Sequence, residues 1–523
     1  MSTTTMRRRV FAYAKFNIDA LISLATNLRG QSCTVNTSTR PKAGSTHWVI
    51  FITFEDGIEW VFRSPRSGSS AIITEESASK LLISEAATLK YLRTLGSIPV
   101  PEVFWFSGNA DRDIGVPYIL MSKASGCPLS EYDWIELSRI EGYPTRRPLL
   151  PLTDQDREKV MKQLGAIMSR LSDCHFDKIG SLLEDSNGNT FVGECLSPSL
   201  LWQHRDELEG IDRGPFDQES QYLQSLVSVF KAHAEELPLS PHSFFAPIPD
   251  PFEYPDWTSY RQAVERWRAF CSIGDKVEGN KNRLSFCIAA QFLNEMVPSL
   301  TSTDDNYVLC HPDRHLGNIF VDEDFNITSI IDWSSASSIP LAELLTTPGL
   351  NGSLSPPQKS LITAFRSGFC SGTQNPEPEQ WERADKMWYF LRLVRMLSTQ
   401  DYTHFKSLYE LVYRKESDDI PQLFYERSIH ESGKAIFAKL CQESPDEEEE
   451  EEHDRSGNNQ LSKSADFAMA RKLTLMSEMN HNFVADRRLW LWIPSKPWLS
   501  RERDAQSSII RSAELSYIQT EVI

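Results

Sequence analysis

The sequence predicts an α+β fold in two unequal parts: a small β-rich part over residues 1–124 and a larger, mainly helical one over residues 125–440. Three observations predict it. Between Trp48 and Arg66 two β-rich runs flank Glu55-Asp56-Gly57, and Asp-Gly between apolar runs is a strong hairpin signal. From Thr153 onward apolar residues recur with the period of a helix. Between Tyr307 and Trp333 the helical character is interrupted by YVLCHPDRHLGNIFVDEDFNITSIIDW, which reads strand, polar loop, strand, turn, strand.

Composition limits the function classes. The chain has 523 residues, 40% apolar and 24% charged, which is ordinary for a soluble globular protein. A net charge of −18 disfavours non-specific binding to nucleic acid and to anionic membrane. Part of that charge is the unbroken acidic run Asp446–Glu452. The nine cysteines include no CxxC pair, so neither a zinc site nor a disulfide framework is indicated and a reducing, cytoplasmic setting is expected. No apolar run approaches the roughly 18 residues of a membrane span. Arg7, Arg8 and Arg9 with FAYAKFNIDALISLA weakly resemble a mitochondrial-type transit peptide; the favoured reading is the first amphipathic helix of the fold.

The elements follow in order. Residues 16–28 set Phe16, Ile18, Leu21, Ile22, Ala25 and Leu28 on one helical face. Residues 36–46 are loop-like, 48–66 the hairpin, and 75–94 a helix with apolar Leu81, Leu82, Ala86, Leu89 and Leu92. Tyr118–Ser122 reads as an apolar strand that breaks into a Gly-containing turn. Thr153 or Asp154 caps a helix whose Val160, Leu164, Ile167 and Leu171 keep one face. Asn187-Gly188-Asn189 centres a second hairpin. Helices are expected over 217–236, 258–272, 284–297, 356–372, 378–399 and 402–413. The Pro-rich stretch 238–257 is too aromatic for a free linker and should pack on the helical part. Residues 441–462, charged and nearly free of apolar side chains, are expected as a disordered acidic linker. Residues 463–523 are expected as a helical and aromatic tail, with a helix over 463–484.

The chemistry lies in the 307–333 stretch. Asp313 and Asn318 fall in the loop between two strands, and Asp332 ends the third. Taken singly they are turn formers and a strand cap. Together, two carboxylates and an amide oxygen are hard ligands suited to Mg²⁺, and a nearby Asp can take a proton from a hydroxyl. Phosphoryl transfer asks for little more.

CHPDRHLGNIFVDEDFNITSIIDW closely resembles the catalytic segment of the aminoglycoside phosphotransferase / choline kinase family, and FITFEDGIEWV and IGSL resemble its fungal members. The resemblance spans roughly residues 15–415. It implies a protein-kinase-like bilobal fold with ATP between the lobes, and a small-molecule hydroxyl acceptor. It implies Asp313 as catalytic base, His311 as a brace for the loop, and Asn318 and Asp332 as Mg²⁺ ligands. It implies a cation for the ATP phosphates at Arg63, where most kinases have Lys, with Glu85 as its partner. It implies a loop over the phosphates at Gly44-Ser45-Thr46, and a hinge from Tyr118 to Lys123 in which Met121, Ser122 and Lys123 meet the adenine edge. The chain departs from the family at Pro312 and Arg314, where Gly and Leu are common, and at Ser334-Ser335, where Glu usually follows. Arg314 is expected beside the base, on transferred phosphate or paired with Asp313. Arg63, Arg314 and Ser334 keep a second reading open, a non-catalytic kinase-fold binding or regulatory protein. I-D-W in place of D-F-G and the lack of A-P-E disfavour a protein kinase. His47, His175 and His315 have no partners at metal-ligand spacing and read as ordinary polar or packed residues.

Overall fold

A computed structural model describes residues 9–66, 72–109, 113–136, 140–144, 148–273, 276–302, 307–350, 356–372, 375–396, 399–415, 419–443 and 465–480. Arg7, Arg8, the acidic run and the aromatic end of the tail lie outside the described residues.

The N-terminal part is a twisted antiparallel sheet with one helix on each side. Its elements are α1 (Ile18–Arg29), β1 (Cys33–Val35), β2 (Lys42–Ala43), β3 (His47–Phe54), β4 (Glu59–Pro65), α2 (Glu75–Leu95), β5 (Val103–Ser107) and β6 (Tyr118–Ser122). The strand order is β1-β3-β4-β6-β5, with β2 beside β3. The hairpin closes where the Asp-Gly signal puts it, with Gly57 at φ +83°. Alternation along β3 and β4 sends Trp48, Ile50 and Phe62, joined by Tyr118 of β6, into a small core under Phe16 and Leu21 of the α1 side. Helix α2 starts at Thr74, whose hydroxyl caps Ser77 N, and stops at Gly96 in the left-handed region.

Strand β7 (Cys127–Pro128) begins the larger part. It continues through α3 (Asp154–Leu171), β8 (His175–Phe176), β9 (Gly180–Glu184), β10 (Thr190–Val192), α4 (Pro198–Leu201), α5 (Glu219–Glu236), α6 (Trp257–Ser272) and α7 (Asn280–Met296). Of the two caps offered by the sequence Thr153 is the one used, and it forms a capping box with Asp156. The Pro-rich stretch packs as expected: Phe244 is fully buried and Trp267 Nε1 donates to Ala246 O at 2.5 Å.

The 307–333 stretch forms β11 (Tyr307–Cys310), β12 (Ile319–Val321) and β13 (Ile327–Ile330), followed by β14 (Ser337–Pro340) and α8 (Leu341–Leu344). Its three strands do not share one sheet. Strand β11 joins the order β10-β9-β14-β11-β8, whereas β13-β12-β7 is separate. The polar loop therefore crosses between two sheets, which holds both its ends. Helices α9 (Lys359–Phe369), α10 (Pro378–Val394), α11 (Asp401–Tyr413), α12 (Ile420–Ile429) and α13 (Glu431–Glu443) complete this part, and a last helix spans Ala465–Met479. Helices α12 and α13 fall where no element was expected.

A core shared by both parts joins Leu82, Ala86 and Leu89 of α2 to Leu164 of α3 and to Leu309, Ile319, Ile330 and Trp333 around the loop. It positions the site, because both halves of the site rest on it. Among the described residues no helix is long and apolar enough to cross a membrane.

Candidate functional site

Arg63, on β4, lies diagonally across the β3–β4 ladder from His47 on β3, so both side chains leave the sheet on one face. Its guanidinium forks three ways. Nη1 pairs with Glu85 of α2, and Nη2 with Asp332 at the end of the β13 segment. Nη2 also lies 3.0 Å from His47 Nδ1. The link to Asp332 joins residues 269 positions apart. Burial pushes His47 down to about 3, so the neutral ring accepts from Arg63 while Thr46 Oγ1 sits 2.8 Å from the same nitrogen. Burial works against the charge on Arg63, but Asp332 and Glu85 outweigh it and raise its pKa. Burial likewise opposes the Asp332 anion, but the charge of Arg63 and the hydrogen bonds from Arg63 and Ser334 outweigh it and hold the carboxyl well below the usual range. Glu85 is the weaker acid: burial pushes it up to about 7 despite Arg63.

Asp332 has φ +64°, a left-handed conformation uncommon for a residue with a Cβ. It turns the carboxylate back toward β4, and Ser334 Oγ donates to its Oδ1 at 2.9 Å. Just before it, Ile331 N–H donates to Asn318 O at 3.0 Å, which ties the two expected metal ligands together through the backbone.

The loop is strung on His311, which is fully buried. Its Nδ1 accepts from Asp313 N at 3.2 Å and its Nε2 donates to Ile331 O at 2.8 Å. Burial lowers the His311 pKa, so the neutral ring with hydrogen on Nε2 fits both bonds. Its edge rests on Trp333 with ring centroids 4.7 Å apart. Asn318 Nδ2 donates to Asp313 O at 3.0 Å, leaving its side-chain oxygen as an acceptor. The Asp313 carboxylate is one-third exposed, with His315 Nε2 at 3.6 Å. His315 Nδ1 accepts from Gly317 N at 2.9 Å.

Arg314 does not pair with Asp313. Its guanidinium is committed to Leu344 O at 3.3 Å and Thr346 Oγ1 at 3.0 Å, because the loop turns its side chain toward α8. Gly44-Ser45-Thr46 is the turn from β2 to β3, pinned by Arg66 Nη1 on Gly44 O at 3.0 Å, and it ends at His47. Met121 and Ser122 belong to β6, where Ser122 N donates to Glu102 O at 2.8 Å. Lys123 Nζ binds Glu59 at 2.6 Å. The connection between the two parts is therefore Lys123–Gly126, shorter than the hinge the sequence suggested. Gly126, at φ +88°, passes so close to Val321 that a Cβ would meet its carbonyl.

Two residues escaped the sequence reading. His47 looked like an ordinary packed residue, and only the strand register brings it to Arg63. Arg395, just past α10, donates through Nη1 to Pro312 O at 3.2 Å, one residue from Asp313. The available signal was a pair of arginines, Arg392 and Arg395, in the otherwise apolar run FLRLVRM.

The described fold sets a small sheet-based part against a larger, mainly helical one, with the candidate site drawing residues from both. Residues 38–346, over half of the chain, match the phosphotransferase enzyme family, and the chain belongs to that family. A subtelomeric hrmA-associated cluster protein of Aspergillus fumigatus is 29% identical over 141 residues, 25% of this chain and 25% of the relative. The mitochondrial altered inheritance of mitochondria protein 9 of Eremothecium gossypii is 25% identical over 217 residues, 38% of this chain and 32% of the relative. The chain thus spans a quarter to a third of the length of these curated relatives. Among solved structures, the macrolide 2'-phosphotransferase of Brachybacterium faecium is similar at 15% identity and TM-score 0.35, over 76% of this chain and 99% of that one. An ethanolamine kinase of Plasmodium vivax is similar at 11% identity and TM-score 0.34, over 77% and 84%.

Proposed function

We propose that the protein moves the γ-phosphate of ATP to a hydroxyl of a small molecule. The observation that carries this reading is the convergence on Asp332 of Arg63 from the N-terminal sheet and, through Ile331, of the His311–Asn318 loop. Family membership supports phosphotransfer in general; the roles below are ours.

Asp313, held by His311 at its amide and by Asn318 at its carbonyl, presents a partly exposed carboxylate to the acceptor. It takes the hydroxyl proton as the oxygen bonds to the γ-phosphorus and the bond to the β–γ bridging oxygen breaks, releasing ADP. Arg63 meets the α- and β-phosphates with a forked, permanently charged group, and Glu85 and His47 fix its orientation. Asn318 and Asp332 fit Mg²⁺, which takes one or two protein oxygens and completes its shell with phosphates and water. Held there by Asn318 and Asp332, such an ion would supply positive charge to offset that on the transferring phosphate. Gly44-Ser45-Thr46 caps the phosphate end, and the Lys123–Gly126 backbone is the adenine-side edge. The nine unbridged cysteines support a reducing compartment.

One observation favours a second reading, a non-catalytic nucleotide-binding protein: Arg63 and Ser334 already hold Asp332 Oδ1. The test is ATP·Mg²⁺ binding by thermal shift, together with ADP formation against a panel of hydroxyl acceptors, for the wild type and Asp313→Asn. We expect nucleotide to raise the melting temperature of both, and Asp313→Asn to lose turnover by a factor of about 10²–10⁴, the range for losing a general base. Wild type that binds no nucleotide overturns both readings. Binding without transfer, identical in Asp313→Asn, selects the second.

A further inference from the structure

The end of α10 brings positive charge to the base. Arg395 Nη1 holds Pro312 O at 3.2 Å, while its Nε is buried with no hydrogen-bond partner among the described residues. One turn earlier, Arg392 lies with its guanidinium carbon 4.1 Å from the centre of the Trp388 ring. Behind them Arg205, 1% exposed, spends Nε on His233 and Nη1 on the carbonyls of Ser199 and Val394. Its Nη2 is likewise buried without a partner among the described residues. Burial, and then Arg395, lowers the pKa of Arg205 to about 9 and of Arg392 to about 10. Burial lowers Arg395 as well, and the carboxylates that oppose this are Asp313 first and Glu343 second. Glu343 is itself a poor counter-charge, since burial raises its pKa and Tyr222 OH already donates to it at 3.2 Å.

Buried charges are ordinarily paired, and a buried donor left unbonded is destabilising. Here three guanidinium groups cluster, and the carboxylates that face Arg395 are Asp313, which the reaction needs free, and the weak Glu343, which Arg314 also faces. A brace for the Pro312 carbonyl would use one donor of one arginine. The excess positive charge and the unbonded Nε of Arg395 beside the base call for an anion.

Resting on the phosphotransferase reading, we propose that the acceptor is itself acidic: a hydroxyl compound bearing a carboxylate or phosphate, with Arg395 binding the oxyanion while Asp313 takes the hydroxyl proton. The net excess beside the base then becomes a specificity device, one that disfavours a cationic amino-alcohol or amino-sugar by like-charge repulsion.

The experiment measures ADP formation with matched acceptors: glycerate against glycerol, gluconate against glucose, pantothenate against pantothenyl alcohol, and choline as the cationic arm. Glycerol 3-phosphate separates phosphate from carboxylate. We expect at least one acid to exceed its neutral partner tenfold or more in kcat/KM. In Arg395→Gln that ratio falls to near one, through the KM of the acid, and Arg395→Lys restores part of it. Preference for neutral or cationic acceptors overturns the proposal. So does an Arg395→Gln enzyme that loses turnover with every acceptor alike, since that is the signature of a brace. Calorimetric titration with the acids reads the anion site independently of turnover. A chain that binds an acid through Arg395 but never transfers phosphate sinks the phosphotransferase reading and keeps the anion site. One that transfers phosphate and binds no acid does the reverse.

Discussion

The family resemblance implies Arg63 at the position where most kinases carry lysine, and the geometry suits an arginine there. A lysine ammonium is a point charge on a flexible stem. The Arg63 fork instead serves Glu85 with one nitrogen and Asp332 and His47 with the other. It thereby joins a helix, a strand and the end of the β13 segment through one planar group. The weak member of the set is Glu85, buried to 1% exposure and raised from the usual 4.5 to about 7. A carboxyl raised in the folded state binds its proton more readily there than in the unfolded chain. Its contribution to stability is therefore fully present below pH 4.5 and declines as pH rises, being lost once pH passes about 7. Glu85→Gln mimics the protonated form and should lack that decline. Denaturant melts of both proteins at intervals from pH 4.5 to 8 check it: the stability of Glu85→Gln relative to wild type should grow with pH up to about 7 and then level off. A constant difference over the whole range would remove Glu85 as the titrating group.

At the scale of elements, what was readable from the sequence depended on how local each element's causes are. Helix α3 carries its own start signal, the Thr153–Asp156 capping box, and its own apolar stripe. The β3–β4 hairpin carries its own turn. These were predicted within a few residues. Strand β14 was not, because Ser337 and Ser338 look like loop residues. They are buried by partners far away: Ser337 Oγ meets Ser181 Oγ at 2.8 Å, and Ser338 Oγ donates to Lys178 O at 2.6 Å. The site divides the same way. Asp313, Asn318 and Asp332 share one motif with fixed spacing, whereas His47 reaches the site by strand register and Arg395 by the packing of α10 under the loop, neither of which has a local signal. Helices α3 and α9 show another non-local cause. They cross where Gly165 faces Phe365 and Gly368 faces Lys162, so closely that a Cβ on either would run into backbone of the other helix. Gly368→Ala forces the two helices apart. It should destabilise by about 1–3 kcal/mol, the usual range for overpacking, even though alanine is the better helix former. Chemical denaturation measures it; a stability equal to wild type would mean that the crossing is looser than it looks.

For the molecule as a whole, the decisive relation is that of α2 to the larger part, because α2 carries Glu85 and so sets Arg63. Three ties fasten it. Asp206 Oδ2 accepts from both Thr74 N and Thr74 Oγ1 at 2.7 Å, at the helix start. Lys80 reaches Glu194 at 3.1 Å, and Lys90 reaches Glu184 at 2.9 Å. The two lysine pairs are substantially exposed, and exposed pairs contribute about 0–1 kcal/mol. The Asp206 tie is different, because it is charge-assisted, part-buried and made to the capping residue itself. Beyond its core face, the strongest polar tie of α2 is therefore at its first turn, and Asp206 couples the larger part to the geometry of Arg63 without touching it. Asp206→Ala should reduce stability by about 1–2 kcal/mol, the range for a lost helix cap. It should speed amide exchange in the first turn of α2, and weaken ATP·Mg²⁺ binding through the freed Glu85. Lys90→Ala should leave all three readouts near wild type, since its pair is exposed. Hydrogen exchange and nucleotide titration on the two variants separate the cases. Equal effects of Asp206→Ala and Lys90→Ala would show that α2 is held by its core face alone.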